Sequence, residues 1–442
     1  MEVITQPVYS KYGKCNLKLP SGYKLYTHQI ETIECFQDDE VDVIFNISMT
    51  GDGKTLASYL PVLVGEENAS AVIGMYPTNE LIKDQCSQVQ TYIEEFNAKK
   101  SICNVYSERI TELMEKSGVK ERSQQLENIL KTNEVILTNP DIFHLMMNYR
   151  YKTHTASPDN LSYLIPTNFD YFVFDEFHVF KVPEIVSVLN ILNYITLKHK
   201  NNPVEKKRFI FSSATPSKLL TEKLERSGLN YKIIQGKYST EKTENTRKIL
   251  NQTTIYFDVI DFDLDIEQWI INNLEKITEF FETQNNAKGA IIVNSVIKAK
   301  RIVQYLKDNT DLSIGENTGL TSKIEGSESY AKDILVGTST IDIGIDFKIN
   351  LLIFESLDTG TFIQRLGRLG RHEGFEEYVA YALVPKYIYE RLEMQLSRYS
   401  KNVLTRQELN SIIEEIFPVE TKFETYPKIW GTLQLAIKRN PF

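Results

Sequence analysis

A loop with two glycines between an apolar strand and an apolar helix most constrains how this chain can fold. The segment Thr50-Gly-Asp-Gly-Lys-Thr55 follows the apolar run Val41–Ile47 and leads into the apolar run Leu56–Leu63. In a strand–loop–helix unit of this kind, backbone N–H groups face bound phosphates and the helix N-terminus adds positive potential. Glycines are needed because a side chain would block the close approach of the phosphates. The pattern predicts a phosphate-binding loop at the end of a strand.

Six consecutive residues of this loop are candidates for binding a nucleotide: Thr50, Gly51, Asp52, Gly53, Lys54 and Thr55. Lys54 would reach the β- and γ-phosphates, and the Thr55 hydroxyl would bind Mg²⁺. The strict phosphate-loop pattern has glycine where this chain has Ser48, so the match departs at one residue. The predicted cofactors are ATP and Mg²⁺.

Two carboxylates follow a second candidate strand. The run Tyr171-Phe-Val-Phe174 has the aromatic and β-branched character of a buried strand, and Asp175 and Glu176 come directly after it. Asp175 would hold Mg²⁺ through water, and Glu176 would orient or deprotonate the water that attacks the γ-phosphate. Together with the phosphate loop, this pair predicts a site that hydrolyses a nucleotide.

Short runs rich in Val, Ile and Phe alternate with longer stretches of helical periodicity along most of the chain. Strands that alternate with helices indicate βαβ units, in which helices cover both faces of a parallel sheet. The alternation stops in the polar segment Lys237–Thr253, which has the composition of a linker, and then resumes. We therefore predict an α/β protein with a first lobe at 1–238, a second lobe at 254–390 and a short helical C-terminal tail at 391–442.

Three arginines lie among glycines in the segment Gln364-Arg-Leu-Gly-Arg-Leu-Gly-Arg371. Arginine is always charged, and its planar fork of donors matches phosphate oxygens. Arg368 and Arg371 are three residues apart, so on one helical turn both could face a γ-phosphate held by the other lobe. We expect these two arginines, with Gln364 at the start of the motif, to act in catalysis.

Taken in order, these segments resemble the motifs of superfamily 2 helicases of the DExH type. The resemblance covers about residues 24–372 and implies two RecA-like lobes. It implies that Gln29, in Tyr26-Thr-His-Gln29, reads the edge of adenine, and that Gly344 and Asp346 contact the ATP ribose. It assigns a further set of residues to nucleic-acid contact or to coupling hydrolysis with lobe movement: Pro77, Thr78, Thr138, Asn139, Ser213, Thr215, Ser295 and Thr338.

The box Asp175-Glu-Phe-His178, the arginine motif and the run Asn139–His144 look most similar to the helicase subunit of type I CRISPR systems. The closest likeness is to the stand-alone helicase of the type I-D branch. This resemblance implies an ATP-dependent single-stranded DNA translocase with 3′-to-5′ polarity. It also implies an RNA-guided CRISPR surveillance complex and a separate nuclease subunit as partners. The sequence contains no His-Asp pair, so we expect no HD nuclease centre within it.

Two other functions stay open at the level of sequence. The first is a DExH RNA helicase or repair helicase outside CRISPR biology, because these residues do not distinguish DNA from RNA. The second belongs to another class: a nucleotide-gated clamp that binds nucleic acid without productive turnover. The presence of Lys54, Glu176, Arg368 and Arg371 argues against the clamp, since a motor that has lost turnover usually lacks one such residue.

The composition narrows the choice of protein class. A net charge of −9 rules out a wholly basic nucleic-acid coat but allows a local basic groove. Four scattered cysteines without a CxxC pair disfavour a disulfide framework and a structural zinc site. No apolar stretch approaches the roughly 20 residues of a membrane span, and we expect a cytoplasmic protein. The basic runs Lys198-His-Lys200 and Lys206-Lys-Arg208 are expected to be solvated loops and not a nucleic-acid clamp.

Overall fold

The computed structural model describes residues 1–65, 70–148, 150–151, 160–177, 182–199, 206–213, 224–225, 227–261, 264–319, 321, 328–342, 347–398 and 402–418. These residues divide into two compact units. One unit, which we call the first lobe, contains the described residues of 12–49 and 53–236. The other, which we call the second lobe, contains Met1–Lys11, Thr50–Asp52 and the described residues of 237–418.

The strands and helices of the described residues follow in chain order. The strands are β1 (Glu2–Thr5), β2 (Val8–Lys11), β3 (Val43–Ile47), β4 (Val72–Met75), β5 (Ile102–Val105), β6 (Val135–Thr138), β7 (Tyr171–Asp175), β8 (Arg208–Ser213), β9 (Tyr231–Gln235), β10 (Tyr238–Ser239), β11 (Thr246–Leu250), β12 (Thr253–Ile260), β13 (Gly289–Ile292), β14 (Ile314–Asn317), β15 (Ile334–Gly337), β16 (Leu351–Glu355), β17 (Val379–Pro385) and β18 (Val403–Leu404). The helices are α1 (Thr27–Gln37), α2 (Lys54–Val64), α3 (Asn79–Glu95), α4 (Ser107–Ser117), α5 (Arg122–Thr132), α6 (Pro140–Met147), α7 (Leu161–Asn168), α8 (Val182–His199), α9 (Ile266–Asn272), α10 (Leu274–Thr283), α11 (Val296–Asn309), α12 (Ser339–Asp342), α13 (Thr359–Leu366), α14 (Lys386–Leu396) and α15 (Arg406–Ile416).

The described strands of the first lobe form a parallel sheet in the order β5-β6-β4-β7-β8-β3-β9. Stacked aromatic rings fill one of its faces, where the ring centroids of Phe174 and Phe211 lie 4.6 Å apart and those of Phe45 and Phe211 lie 5.2 Å apart. Parallel strands end at the same edge of a sheet. The loops after β3, β4, β6, β7 and β8, which carry the predicted motifs, therefore share one edge.

The second lobe is built on a mixed sheet in the order β14-β15-β13-β16-β17-β12-β1-β18. The strands from β14 to β12 pair in parallel, and β1 then pairs antiparallel with β12. Trp269 of α9 packs against Tyr381 of β17, with ring centroids 5.0 Å apart. The expectation of an α/β protein with two sheets flanked by helices is confirmed.

The first eleven residues join the second lobe, whereas the sequence boundary at residue 238 placed them in the first. Strand β1 pairs with β12, so that Glu2 lies opposite Tyr256. Strand β2 forms a small antiparallel sheet with β10 and β11. The segment Lys237–Thr253, predicted to be a linker, thus contributes two strands to this sheet. Partners more than 200 residues away along the chain leave no local signal in the sequence.

The described part of the predicted tail contains the end of α14, strand β18 and helix α15. Helix α15 opens with a capping box, in which Thr405 Oγ1 accepts from the Glu408 backbone N–H over 3.1 Å and the Glu408 carboxylate accepts from the Thr405 backbone N–H over 2.7 Å. This reciprocal pairing satisfies two donors at the helix start. The rest of the predicted tail, 419–442, lies outside the described residues.

The basic run Lys206-Lys-Arg208 is fixed to an acidic turn and is not a solvated loop. Arg208 Nη2 lies 3.1 Å from an Asp39 carboxylate oxygen, and Lys206 Nζ lies 3.2 Å from an Asp42 carboxylate oxygen. The prediction was wrong because the acidic partners lie far away in sequence and reach the run only through the pairing of β3 with β8. These cations are already committed to protein carboxylates.

Two expectations from composition can be compared with the described part of the chain. All four cysteines are free thiols there: Cys15, Cys35, Cys86 and Cys103. Burial raises the pKa of Cys86 to about 11, so this thiol is largely protonated at neutral pH. No described helix has both the length and the apolar character needed to cross a bilayer.

Candidate functional site

The phosphate loop leaves β3 after Ile47 and ends where helix α2 begins at Lys54. Gly51 and Gly53 have positive φ angles of 85° and 73°, which residues with a side chain rarely adopt. A Cβ atom on Gly53 would also lie only 2.6 Å from Gln29 Nε2. Both glycines are therefore required by the backbone of the loop.

The Lys54 ammonium is buried at the start of α2 and donates to the Ser48 backbone oxygen over 3.1 Å. An ammonium carries three donors, so this bond leaves others for phosphate oxygens. The charge of Lys54 also acts on Asp175, where it lowers the pKa of the carboxyl against the effect of burial. The predicted loop lysine and the predicted strand-end acid thus belong to one electrostatic site.

Asp175 is the last residue of β7 and is buried. Burial raises the pKa of its carboxyl to about 7, and the neighbouring Glu176 charge adds to the rise. Its Oδ1 atom is buried and has no hydrogen-bond partner among the described residues. Because a buried polar atom without a partner is costly, a divalent cation would supply an interaction that the protein does not.

Thr55 is the second predicted metal ligand. Its hydroxyl donates to Gln85 Oε1 over 2.7 Å, which leaves the lone pairs of the oxygen as acceptors for a cation. No group of three or more His, Cys, Asp or Glu in the described residues could hold a metal ion. Mg²⁺ needs no such cage, because it commonly binds one or two protein oxygens together with substrate phosphates and water. Asp175 and Thr55 therefore fit Mg²⁺ that arrives with ATP.

Glu176 follows β7 in a strained backbone conformation. Its φ angle is 48°, in the left-handed region that costs a non-glycine residue roughly 1–2 kcal/mol. The next residue, Phe177, is buried with its ring centroid 5.4 Å from that of Phe211 and 6.0 Å from that of Phe45. This packing holds the turn in place, so the partly exposed Glu176 stays beside Asp175.

Gln29, predicted to read adenine, connects helix α1 to the phosphate loop. Its Nε2 atom donates to the Gly53 backbone oxygen over 2.9 Å, and its Oε1 atom accepts from the Tyr26 backbone N–H over 2.9 Å. A side-chain amide has two donor protons and two acceptor lone pairs. One of each therefore remains for a base edge, and the adenine contact stays a prediction.

Helix α2 makes two further buried polar contacts, which sequence reasoning missed. The hydroxyl oxygens of Ser58 and Ser212 lie 2.9 Å apart, and those of Tyr59 and Tyr76 also lie 2.9 Å apart. Thr55, Ser58 and Tyr59 are spaced i, i+3 and i+4, so they share one side of the helix. Polar residues at this spacing in an otherwise apolar helix were the available signal. They connect the phosphate-loop helix to α3, to the end of β8 and to the end of β4.

Three predicted nucleic-acid residues are helix N-caps. Thr78 Oγ1 accepts from the Leu81 backbone N–H over 3.2 Å, and Asn139 Oδ1 accepts from the Ile142 backbone N–H over 2.8 Å. Ser295 caps α11 in the same way. The side-chain oxygen of each residue therefore serves its own helix. A phosphate would be bound at these places by the remaining backbone N–H groups of the first turn.

Thr138, predicted to contact nucleic acid, makes a buried hydrogen bond within the first lobe. Its side chain is fully buried, and Oγ1 donates to the Val105 backbone oxygen over 2.8 Å, which joins the ends of β6 and β5. Next to it, Asn139 Nδ2 donates to Asn79 Oδ1 over 3.1 Å and so connects the starts of α6 and α3. The hydroxyl is thus used within the first lobe, and a contact of Thr138 with nucleic acid stays a prediction.

The arginine motif begins on helix α13, which ends at Leu366. Gln364 is buried on this helix, and Arg365 is fully buried and donates to the Glu355 backbone oxygen. Arg368 and Arg371 lie beyond the helix, so the expected helical turn between them does not form. Gly370 lies between them with a φ angle of 83°, which is not a helical conformation.

The remaining candidates lie at strand ends or outside the described residues. Ser213 is the buried last residue of β8, and Pro77 is partly exposed shortly after β4. Thr338 is buried between β15 and α12. Three predicted residues fall outside the described part of the chain: Thr215, Gly344 and Asp346.

Two family models match the chain. Residues 26–222 match the DEAD/DEAH box helicase model, and residues 268–374 match the model of the C-terminal part of the CRISPR-associated nuclease/helicase Cas3. These two regions contain the phosphate loop, the acidic pair and the arginine motif. Residues 26–222 are thus similar to the domain of DEAD/DEAH box helicases, and residues 268–374 are similar to the C-terminal part of Cas3.

The chain is similar to the uncharacterized ATP-dependent helicase YprA of Bacillus subtilis (strain 168), with 21% identity over 379 residues, which cover 79% of this chain and 45% of YprA. The crystal structure of the DUF1998 helicase MrfA bound to DNA superposes with a TM-score of 0.65 at 19% identity, over 92% of this chain and 57% of that one. The structure of Mss116p bound to ssRNA and AMP-PNP gives a TM-score of 0.60 at 16% identity, over 94% and 82%. The structural likeness shows the tandem RecA-like fold. The chain spans about half the length of YprA and MrfA.

Proposed function

We propose that this chain is an ATP-driven translocase that acts on single-stranded DNA. The observation that supports this most is the site of Lys54, Asp175 and Glu176 at one edge of the first-lobe sheet. Lys54 supplies a buried ammonium, Asp175 a buried carboxyl with a raised pKa, and Glu176 a partly exposed carboxylate on a strained turn. The charges of Lys54 and Glu176 both act on Asp175. Strained backbone and perturbed ionisation together are typical of catalytic sites.

In the proposed mechanism the phosphate loop binds the β- and γ-phosphates through its backbone N–H groups and Lys54. Asp175 and Thr55 would hold Mg²⁺, which would supply positive charge to the phosphates. Glu176 accepts the proton of the attacking water, or orients that water for attack. Arg368 and Arg371 supply positive charge to the γ-phosphate as it departs, a role worth on the order of 10³–10⁵ in rate.

Hydrolysis would reach the nucleic acid through helix α2. The contact of Tyr59 with Tyr76 connects this helix to the strand that leads to the Thr78 cap, and the contact of Ser58 with Ser212 connects it to the end of β8. A change in phosphate occupancy at the start of α2 would therefore act on both strand ends. The capped helix starts would bind the DNA backbone, so we expect little sequence preference.

The choice of DNA rests on the relatives. MrfA was solved bound to DNA, whereas Mss116p was solved bound to ssRNA. Of these two, MrfA has the higher TM-score and the higher identity. RNA therefore remains the specific alternative substrate, and the ribose 2′-hydroxyl is the group that separates the two.

The test is the steady-state ATPase rate with no nucleic acid, with single-stranded DNA and with single-stranded RNA of the same sequence. We expect strong stimulation by DNA and weak stimulation by RNA. The Glu176→Gln variant controls for contaminating ATPase. Stronger stimulation by RNA would favour an RNA helicase. Binding of ATP and DNA with no turnover under any of these conditions would favour the nucleotide-gated clamp.

We also propose that this translocase acts in CRISPR interference, with an RNA-guided surveillance complex and a separate nuclease as partners. The match of residues 268–374 to the Cas3 C-terminal model supports this. The test compares ATPase stimulation by an R-loop held by the surveillance complex with stimulation by the same R-loop without protein. Equal stimulation would favour a helicase that works outside CRISPR. Displacement of streptavidin from the 5′ end of single-stranded DNA, but not from the 3′ end, would report the expected 3′-to-5′ polarity.

A further inference from the structure

Asn251, in the short connection between β11 and β12, contacts the arginine motif of the second lobe. Its Nδ2 atom donates to the Gly370 backbone oxygen over 2.9 Å and to the His372 backbone oxygen over 3.0 Å. Its backbone N–H also donates to the Gly370 oxygen, over 2.7 Å. One asparagine therefore holds the two carbonyls on either side of Arg371.

The loop that carries Arg371 depends on such contacts because no helix or strand includes it. Helix α13 ends at Leu366, and β17 begins only at Val379. Gly370 has a φ angle of 83°, and a Cβ atom there would come within 3.3 Å of the Asn251 backbone oxygen. The loop thus packs closely on Asn251. A glycine is required at position 370 because φ is positive there and because Asn251 comes so close.

Two more contacts hold the far side of the same loop. The Tyr378 hydroxyl donates to the His372 backbone oxygen, and Lys248 Nζ lies 2.9 Å from a Glu373 carboxylate oxygen. Lys248 belongs to β11. The segment that sequence reasoning treated as a linker is therefore the support of the arginine loop, and Asn251 is its contact nearest to Arg371.

We propose that Asn251 is a positioning residue for Arg371. Its amide supplies one proton to each flanking carbonyl and so fixes the peptide units from which the arginine side chain extends. The guanidinium is oriented further by the bond from Arg371 Nε to the Gly367 backbone oxygen. The proposal rests on the proposed role of Arg371 in ATP hydrolysis. Misplacement of a catalytic group by about 1 Å can cost on the order of a hundredfold in rate.

The side-chain chemistry makes this proposal specific for an amide donor. Asn251→Asp keeps the shape of the residue but replaces the donor with an acceptor that faces two carbonyl oxygens. Asn251→Ala removes the donor and leaves both carbonyls to water. We expect both variants to lower kcat for ATP by about tenfold to a hundredfold with little change in KM. The aspartate should be the slower of the two.

The decisive experiment is a double-mutant cycle on the full chain, measured as DNA-stimulated ATPase. In the Arg371→Ala background, Asn251→Ala should change kcat by less than about twofold, because the group that it positions is gone. The matched control is Asn273→Ala, which also removes an amide-to-carbonyl bond in the second lobe, from Asn273 Nδ2 to the Trp269 oxygen over 2.8 Å. This control should leave kcat near that of the natural protein.

Each other outcome overturns a defined part of the proposal. If Asn251→Ala lowers kcat by the same factor with and without Arg371, the residue is structural only. Thermal unfolding would then show a matching loss of stability. If Asn251→Ala and Asn251→Asp both keep normal kcat, Asn251 does not position the loop. If Arg371→Ala alone keeps normal kcat, the proposed role of Arg371 fails first and the inference about Asn251 fails with it.

Discussion

The hydroxyl oxygens of Tyr59 and Tyr76 lie 2.9 Å apart in the interior of the first lobe. Tyr59 belongs to the helix that follows the phosphate loop, and Tyr76 follows the strand that leads to the Thr78 cap. Burial raises the pKa of both phenols well above the ordinary value, and the charge of Asp175 adds to the rise. Both hydroxyls thus stay protonated, and the hydrogen bond connects the nucleotide site to a candidate DNA contact.

We expect Tyr76→Phe to reduce DNA stimulation of the ATPase by about twofold to thirtyfold, because the coupling energies of such contacts are commonly about 0.5–2 kcal/mol. The rate without DNA should change much less. The measurement is the ATPase rate as a function of single-stranded DNA concentration. Tyr171→Phe is the matched control, since Tyr171 is equally buried on the neighbouring strand β7 but lies outside this pair. An equal loss of ATPase rate with and without DNA would show that Tyr76 only stabilises the fold.

The same pair predicts a pattern in stability. Each single Tyr-to-Phe change leaves one buried hydroxyl without its partner, at a cost of about 1–3 kcal/mol, whereas the double change leaves none. In urea unfolding, the double variant should therefore lose less free energy of unfolding than the sum of the losses of Tyr59→Phe and Tyr76→Phe. A strictly additive result would mean that the two hydroxyls do not interact.

Glu176 combines catalysis with backbone strain, and two substitutions separate these effects. Glu176→Gln should bind ATP normally but lose about 10²–10⁴ in kcat, since the amide cannot accept the water proton. Glu176→Gly should lose turnover as well, yet relieve left-handed strain of roughly 1–2 kcal/mol. Calorimetry should then show Glu176→Gly unfolding at no lower a temperature than Glu176→Gln. A clearly lower unfolding temperature for the glycine variant would mean that the turn is not strained.

The sequence predicted those parts of the fold and site whose signal is local. The apolar runs that became β3 and β7 were found within one or two residues, because buried parallel strands are continuously apolar. The phosphate loop and the acidic pair were equally clear, since their chemistry lies in consecutive residues. Strands β1, β2, β10 and β11 were missed because they contain more polar residues and pair with partners distant in sequence.

The rest of the site depends on partners that only the fold brings together. Tyr59 and Tyr76 are ordinary core tyrosines in the sequence, and Asn251 lies in a polar segment that resembles a linker. Their roles follow from the atoms that they contact. Thr138 shows the opposite case, in which a motif position was identified but the direction of the side chain was not.

Thr138 and Thr78 should respond differently to substitution. Thr138→Val leaves the Val105 oxygen without its donor and should destabilise the first lobe by about 1–3 kcal/mol, with DNA affinity nearly unchanged. Thr78→Ala removes a helix cap, costs about 1 kcal/mol, and should weaken DNA binding, because the helix start that faces the phosphate is loosened. Urea unfolding and DNA titration at one fixed salt concentration measure the two effects. Tenfold weaker DNA binding by Thr138→Val at unchanged stability would show that Thr138 contacts DNA.

The raised pKa of Asp175 predicts a pH dependence of stability in the chain without nucleotide or metal. Burial disfavours the charged form and raises the pKa of its carboxyl from the ordinary 3.8 to about 7 in the folded chain. The folded state therefore binds more protons than the unfolded state between these values, so stability falls as pH rises through this window. Asp175→Asn removes the titrating group and should flatten the slope, leaving a variant at least as stable as the natural protein above pH 7. Denaturant unfolding from pH 5 to pH 8 in the presence of a chelator measures this. An unchanged slope in Asp175→Asn would assign the titration to another residue.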